Sequence, residues 1–160
     1  MTKLRISLLN LLILILVALA LPSHEICGEA NKFASGGQIP ETQKVQVEGG
    51  GSYTDVSPAG LALMLKNKDF LFINVHIPYE GEIEKTDLFI PFNEIGQNLD
   101  KLPSNKETKI VLYCKTDRMS IIAAYTLVKL GFNNVWNLKG GMTAWRQAGY
   151  PLIEKKGGFK

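Results

Sequence analysis

Two cysteines and two histidines are all that the 160 residues offer toward thiol or imidazole chemistry. Their spacing forms no zinc or calcium motif, and neither the dinucleotide nor the P-loop glycine pattern is present, so no metal or cofactor is expected. Low complexity, heptads and repeats at solenoid spacing are missing as well, which excludes coiled coils and repeat arrays. Charge of one sign is also lacking. The chain has 18 basic and 15 acidic residues, and setting aside Lys3 and Arg5 leaves 16 against 15. No basic stripe with interleaved aromatics occurs, so nucleic acid is not an expected partner.

What is there is an ordinary globular composition, 46% apolar and 21% charged, over a length that suits one domain. Lys3 and Arg5 precede an apolar run, unbroken from Leu11 to Leu21, with Ala18-Leu19-Ala20 ahead of Pro22. A basic start, a short apolar core and an A-x-A-like site describe a signal peptide over residues 1–20. Uncleaved, the same segment would be a membrane anchor. From Ile6 it counts 16 residues broken by Ser7 and Asn10, whereas a spanning helix wants about 20. Lipid attachment at Cys27 is a third option, but His24, Glu25 and Ile26 are not the small residues such processing prefers. The folded part is expected outside the cytoplasm of a prokaryote, whether periplasmic, secreted or membrane-anchored. Two cysteines in an exported protein suggest a disulfide. Cys27, however, lies in a polar stretch and Cys114 at the end of a strand, so two separate thiols are the preferred reading over a Cys27–Cys114 bridge.

Residues 21–52 read as a glycine-containing tether, with a short extended piece around Val45 and Val47. Ser57 before Pro58 predicts a capped helix through Leu61, Met64 and Leu65. "FLFINV" and "KIVLYC" are continuous apolar runs of the kind that form strands buried on both faces. "DLFIPF" is a weaker strand, after which Asn93 is placed to cap a short helix containing Ile95 and Leu99. Ile121 to Leu130 repeats with helical period up to Gly131. "NVWNL" is a last strand, and Gly140-Gly141 opens a helix reaching Gly149. Strands alternating with helices predict an α/β fold: an open parallel sheet with helices on both faces. In such sheets ligands bind beyond the carboxyl ends of strands, and Cys114 stands at one.

The stretch Cys114-Lys115-Thr116-Asp117-Arg118-Met119-Ser120 is a tight turn feeding a helix. Its backbone amides can converge into an anion-binding concavity, while Lys115 and Arg118 add cations and Thr116 and Ser120 add hydroxyls. A thiolate there would be stabilised and could attack an anionic substrate bearing sulfur or phosphorus. A small buried residue that merely closes a strand is the alternative that residue types leave open. His76 reads as a polar strand-end residue, Trp136, Trp145 and Tyr125 as core, and "EGEIEK" as a solvated loop.

The run from Leu112 to Leu152 resembles the carboxyl half of a rhodanese domain. A strand ends in a cysteine, a six-residue loop leads to a helix with paired alanines, and a "GF-NV" turn follows. Leu138 to Pro151 then matches L-x-G-G-x-x-A-W-x-x-A-G-Y-P at every specified position. "FLFINVHIPYE" and "IPFNEI" are similar to the family's earlier strands, and the likeness spans residues 53–153 of a rhodanese-like domain followed by a basic tail at 154–160. The resemblance implies a monomeric sulfurtransferase. Cys114 would take a sulfane sulfur from a small anionic donor such as thiosulfate, hold it as a persulfide, and pass it to a thiol or other acceptor. Lys115, Thr116, Asp117, Arg118, Met119 and Ser120 would form the substrate bowl. Asp117 stands where many members have glycine, Met119 where they have arginine, and Asn74 where the strand often carries aspartate. The charge of Asp117 would oppose a neighbouring thiolate. A non-catalytic module that binds a partner protein or a reactive sulfur species is the alternative that Asn74 and Asp117 favour. Phosphatases of related fold need arginine six residues after the cysteine, where this chain has Ser120.

Overall fold

The structure, a computed structural model of the chain, describes residues 41–153. The expected leader, Cys27, most of the expected tether and the basic tail lie outside the described residues. Six strands form one sheet: β1 (Thr42–Gln46), β2 (Ser52–Val56), β3 (Leu71–Asn74), β4 (Leu88–Phe89), β5 (Ile110–Tyr113) and β6 (Val135–Leu138). Three helices accompany them: α1 (Pro58–Lys66), α2 (Arg118–Lys129) and α3 (Gly141–Gln147). The order across the sheet is β1-β2-β6-β5-β3-β4. All neighbours are parallel except β1 and β2.

Continuous apolar runs became the central strands because both faces of the sheet are covered. On β5, Ile110 and Leu112 join a core formed with Ala123, Ala124 and Leu127 of α2. Val111 and Tyr113 point the other way, into a core with Leu61 and Leu65 of α1 and Met142 and Trp145 of α3. One helix therefore covers one face and two cover the other. Ser57 caps α1 as its type predicts, its Oγ accepting from Gly60 N at 3.1 Å, with proline at the first helical position.

Three departures from the sequence expectations have physical causes. Thr42–Gln46, where only a short extended piece around Val45 and Val47 was expected within the tether, is an edge strand paired antiparallel with β2. The short helix expected after Asn93 consists of two 3₁₀ turns, Ile95–Gln97 and Leu99–Lys101; the first is capped by Glu94, and no side chain supplies the cap. The "EGEIEK" segment is not wholly solvated, since Gly81, Glu82 and Ile83 are buried. Ile83 N donates to the Tyr113 hydroxyl at 3.0 Å, and Glu82 forms an isolated bridge with Ile153. Those backbone partners come from distant parts of the chain and leave no local periodicity.

Candidate active site

Strand β5 delivers Cys114 to the carboxyl edge of the sheet as a free, fully buried thiol. The chain turns immediately. Asp117 adopts the left-handed conformation, φ 78, and α2 starts at Arg118. That turn brings Ser120 back under the thiol, its hydroxyl 3.5 Å from Cys114 Sγ and 3.0 Å from Asp117 O. Ile121 N donates to Asp117 O at 2.9 Å, whereas the amides from Lys115 to Ser120 have no backbone acceptor among the described residues. The first amides of a helix lack intrahelical partners and carry the positive end of its dipole, so this turn suits a bound anion.

The expected bowl residues separate into different roles. Lys115 and Thr116 are exposed, and Arg118 is exposed at the start of α2 with no ion pair among the described residues. Met119 packs its side chain against the α2 core and offers the turn only its backbone. Lys115 is already engaged, its ammonium 2.6 Å from Glu80 Oε2. That hydrogen bond holds the Glu80 carboxyl below the usual carboxylate range, with Lys115 and His76 adding electrostatically in the same direction and desolvation opposing. His76 Nε2 is 3.7 Å from the same oxygen. The imidazole is buried, and neither ring nitrogen has a hydrogen-bond partner among the described residues.

Asn74, where the strand often carries aspartate, ties together the segment that follows β3 and makes no side-chain hydrogen bond to the cysteine loop among the described residues. It donates from Nδ2 to Gly81 O and accepts at Oδ1 from His76 N, each at 3.0 Å. A carboxylate could do only the second. The Asp117 carboxylate, expected beside the thiolate, is turned onto the next loop, where Oδ2 accepts from Gly140 N at 2.9 Å.

That next loop belongs to the site, although its glycines read as purely structural in the sequence. Met142 N donates to Cys114 O and Thr143 N to Lys115 O, each at 2.9 Å. A Cβ on Gly141 would stand 2.3 Å from Cys114 O and 2.7 Å from Lys115 O. Trp145 anchors the far end of α3, buried, with its indole N–H donating to Pro151 O at 2.9 Å. Between this helix and the Glu80–Lys115 pair lies a small cavity of about 50 Å³, lined also by Thr143 and Arg146. Glu80 and Gly140 were outside the sequence's candidate set, and only spatial contact reveals them. Among the described residues no three His, Cys, Asp or Glu side chains gather as a metal-binding group.

Comparisons with known proteins bear on this arrangement. A family model described as the rhodanese-like domain matches residues 58–148. The chain is 29% identical over 93 residues to a protein of Allochromatium vinosum named sulfurtransferase, covering 56% of this chain and 84% of that one. It is 31% identical over 99 residues to a tRNA uridine(34) hydroxylase of Escherichia coli, covering 56% of this chain and 28% of the relative. Among solved structures it is similar to a rhodanese-related protein of Thermoplasma volcanium, with a TM-score of 0.53 at 25% identity over 62% of this chain and 96% of that one.

Proposed function

The chain belongs to the rhodanese-like domain family, and from that premise we propose that it is a sulfurtransferase working through a persulfide on Cys114. The observation that carries the reading is the setting of the thiol. It ends a buried strand at a turn whose amides have no backbone acceptor among the described residues, with the Ser120 hydroxyl 3.5 Å from Sγ. Amides and hydroxyl can share the charge of a thiolate, and later of a persulfide.

In the first half-reaction Cys114 Sγ⁻ attacks the outer sulfur of thiosulfate or a related donor. The donor's S–S bond breaks, sulfite leaves with the electron pair, and the sulfane sulfur remains on Cys114 as an anionic persulfide. In the second, a thiolate or cyanide attacks that terminal sulfur. The Cys114 thiolate leaves as the new bond forms, and the site is restored. Arg118, without a carboxylate partner among the described residues, supplies a cation to the anionic donor. The signal peptide expected from the sequence of residues 1–20 supports placing this reaction outside the cytoplasm.

Intact mass after incubation with thiosulfate tests the reading. One added sulfur atom is expected on the reduced protein and none on Cys114→Ser, with thiosulfate:cyanide transfer lost in parallel. An adduct confined to Cys27, or no adduct, refutes the enzyme and leaves a binding module. The engagement of Lys115 by Glu80 favours that second reading, because it withdraws a cation from the bowl.

A further inference from the structure

Asp117 occupies a left-handed backbone conformation, φ 78, which glycine adopts without strain and aspartate and asparagine tolerate better than most residues. A side chain at that position can also hold the turn through a contact across the fold. The structure contains one: the carboxylate reaches across to the turn before α3 and accepts from Gly140 N at 2.9 Å. Its position on that side is also felt by Tyr53 on β2. Burial, Asp55, Tyr125 and Asp117 push the Tyr53 hydroxyl up to about 12, in that order of effect.

The same two turns are joined elsewhere by backbone alone. Cys114 O and Lys115 O accept from Met142 N and Thr143 N, with Gly141 packed against them. Those links hold the front of the cysteine loop, at residues 114 and 115. Asp117 holds its rear, where the chain enters α2. Ser120 depends on both ends, because its hydroxyl lies 3.0 Å from Asp117 O and 3.5 Å from Cys114 Sγ. We infer that Asp117 is a positioning residue: it latches the rear of the Cys114 loop to the Gly140 turn, keeping the Ser120 hydroxyl on the sulfur and the turn in the shape that presents its amides. The role rests on Cys114 being the reacting group, and is independent of which donor supplies the sulfur.

Two uncharged substitutions separate the latch from the charge. Asp117→Asn retains an oxygen acceptor for Gly140 N and tolerates the left-handed backbone. Asp117→Gly adopts φ 78 freely, so it folds, but it has no acceptor. Each is made in the full chain on a Cys27→Ser background, and the rate of Cys114 alkylation by iodoacetamide is followed against pH, with thermal unfolding measured alongside. The latch predicts that the midpoint of the glycine variant's profile lies above that of the asparagine variant by about half a pH unit or more. It further predicts that kcat for sulfur transfer falls several-fold with glycine and is rescued with asparagine. Coincident profiles for the two variants would overturn the latch. So would a glycine variant that alkylates faster than wild type, which would make the carboxylate a brake through its charge. Alkylation reports on the thiolate itself, so a chain inactive in sulfur transfer still answers the question.

Discussion

Gly141→Ala should damage both the fold and the site, and the cost can be worked from the contacts. At φ +57 an alanine pays roughly 1–2 kcal/mol for the left-handed backbone. Its methyl would also sit 2.3 Å from Cys114 O and 2.7 Å from Lys115 C and O, all backbone atoms that cannot rotate away. Relief requires α3 to lift from the cysteine loop, at an overpacking cost of about 1–3 kcal/mol. Lifting also stretches the Met142 N to Cys114 O and Thr143 N to Lys115 O hydrogen bonds, worth about 1 kcal/mol each. With both bonds lost, a total of roughly 4–7 kcal/mol follows from these contributions. Gly149→Ala is the control. Its φ is +85, but nothing lies within 4 Å of the added methyl, so only the backbone penalty of about 1–2 kcal/mol applies. Urea unfolding of both variants, with unchanged slopes, should place Gly141→Ala about 3–5 kcal/mol below Gly149→Ala. Alkylation of Cys114 should slow only in the former. Equal losses in the two variants would show that backbone contact between the loops does not hold the cysteine in place.

Two further substitutions probe the cations at the mouth of the loop. Arg118→Ala should raise the thiosulfate concentration for half-maximal rate by about three- to tenfold, with kcat little changed; an unchanged KM would mean the guanidinium does not meet the donor. Glu80→Gln should release Lys115 and lower that concentration by about two- to fivefold at low salt, with the gain fading as ionic strength rises. Because the Glu80 carboxyl is held below its usual range by Lys115, the pair is intact above that range and is lost as pH falls through the lowered value. The difference between Glu80→Gln and wild type should therefore be full at neutral pH and vanish under acid conditions, as read from KM against pH.

The parts of this protein that its sequence determined by itself are those governed by local chemistry or by burial on both faces. "FLFIN" and "KIVLY" admit few fates other than central strands, since every second residue must find a core on either side. Ser57-Pro58 caps a helix wherever it lies. The run from Leu138 to Pro151 marks its helix and the buried Trp145 without reference to anything distant. Cys114 was legible for the same reason, standing where a buried strand meets a turn.

What only the tertiary structure decided concerns groups whose partners are far along the chain. Thr42–Gln46 has one partly buried residue in five, so its sequence suggested no more than an extended piece around Val45, and it is a strand because β2 satisfies its backbone. Glu80 is a surface acid in the sequence and a ligand of Lys115 in space. The Asp117 carboxylate could have faced the thiolate or turned away. Its direction is set by Gly140, 23 residues later, whose amide is presented only because Gly141 lets α3 approach the cysteine loop so closely. Periodicity and propensity describe a residue's own backbone, while the direction of a charge is settled by whichever unpaired donor the fold brings within reach.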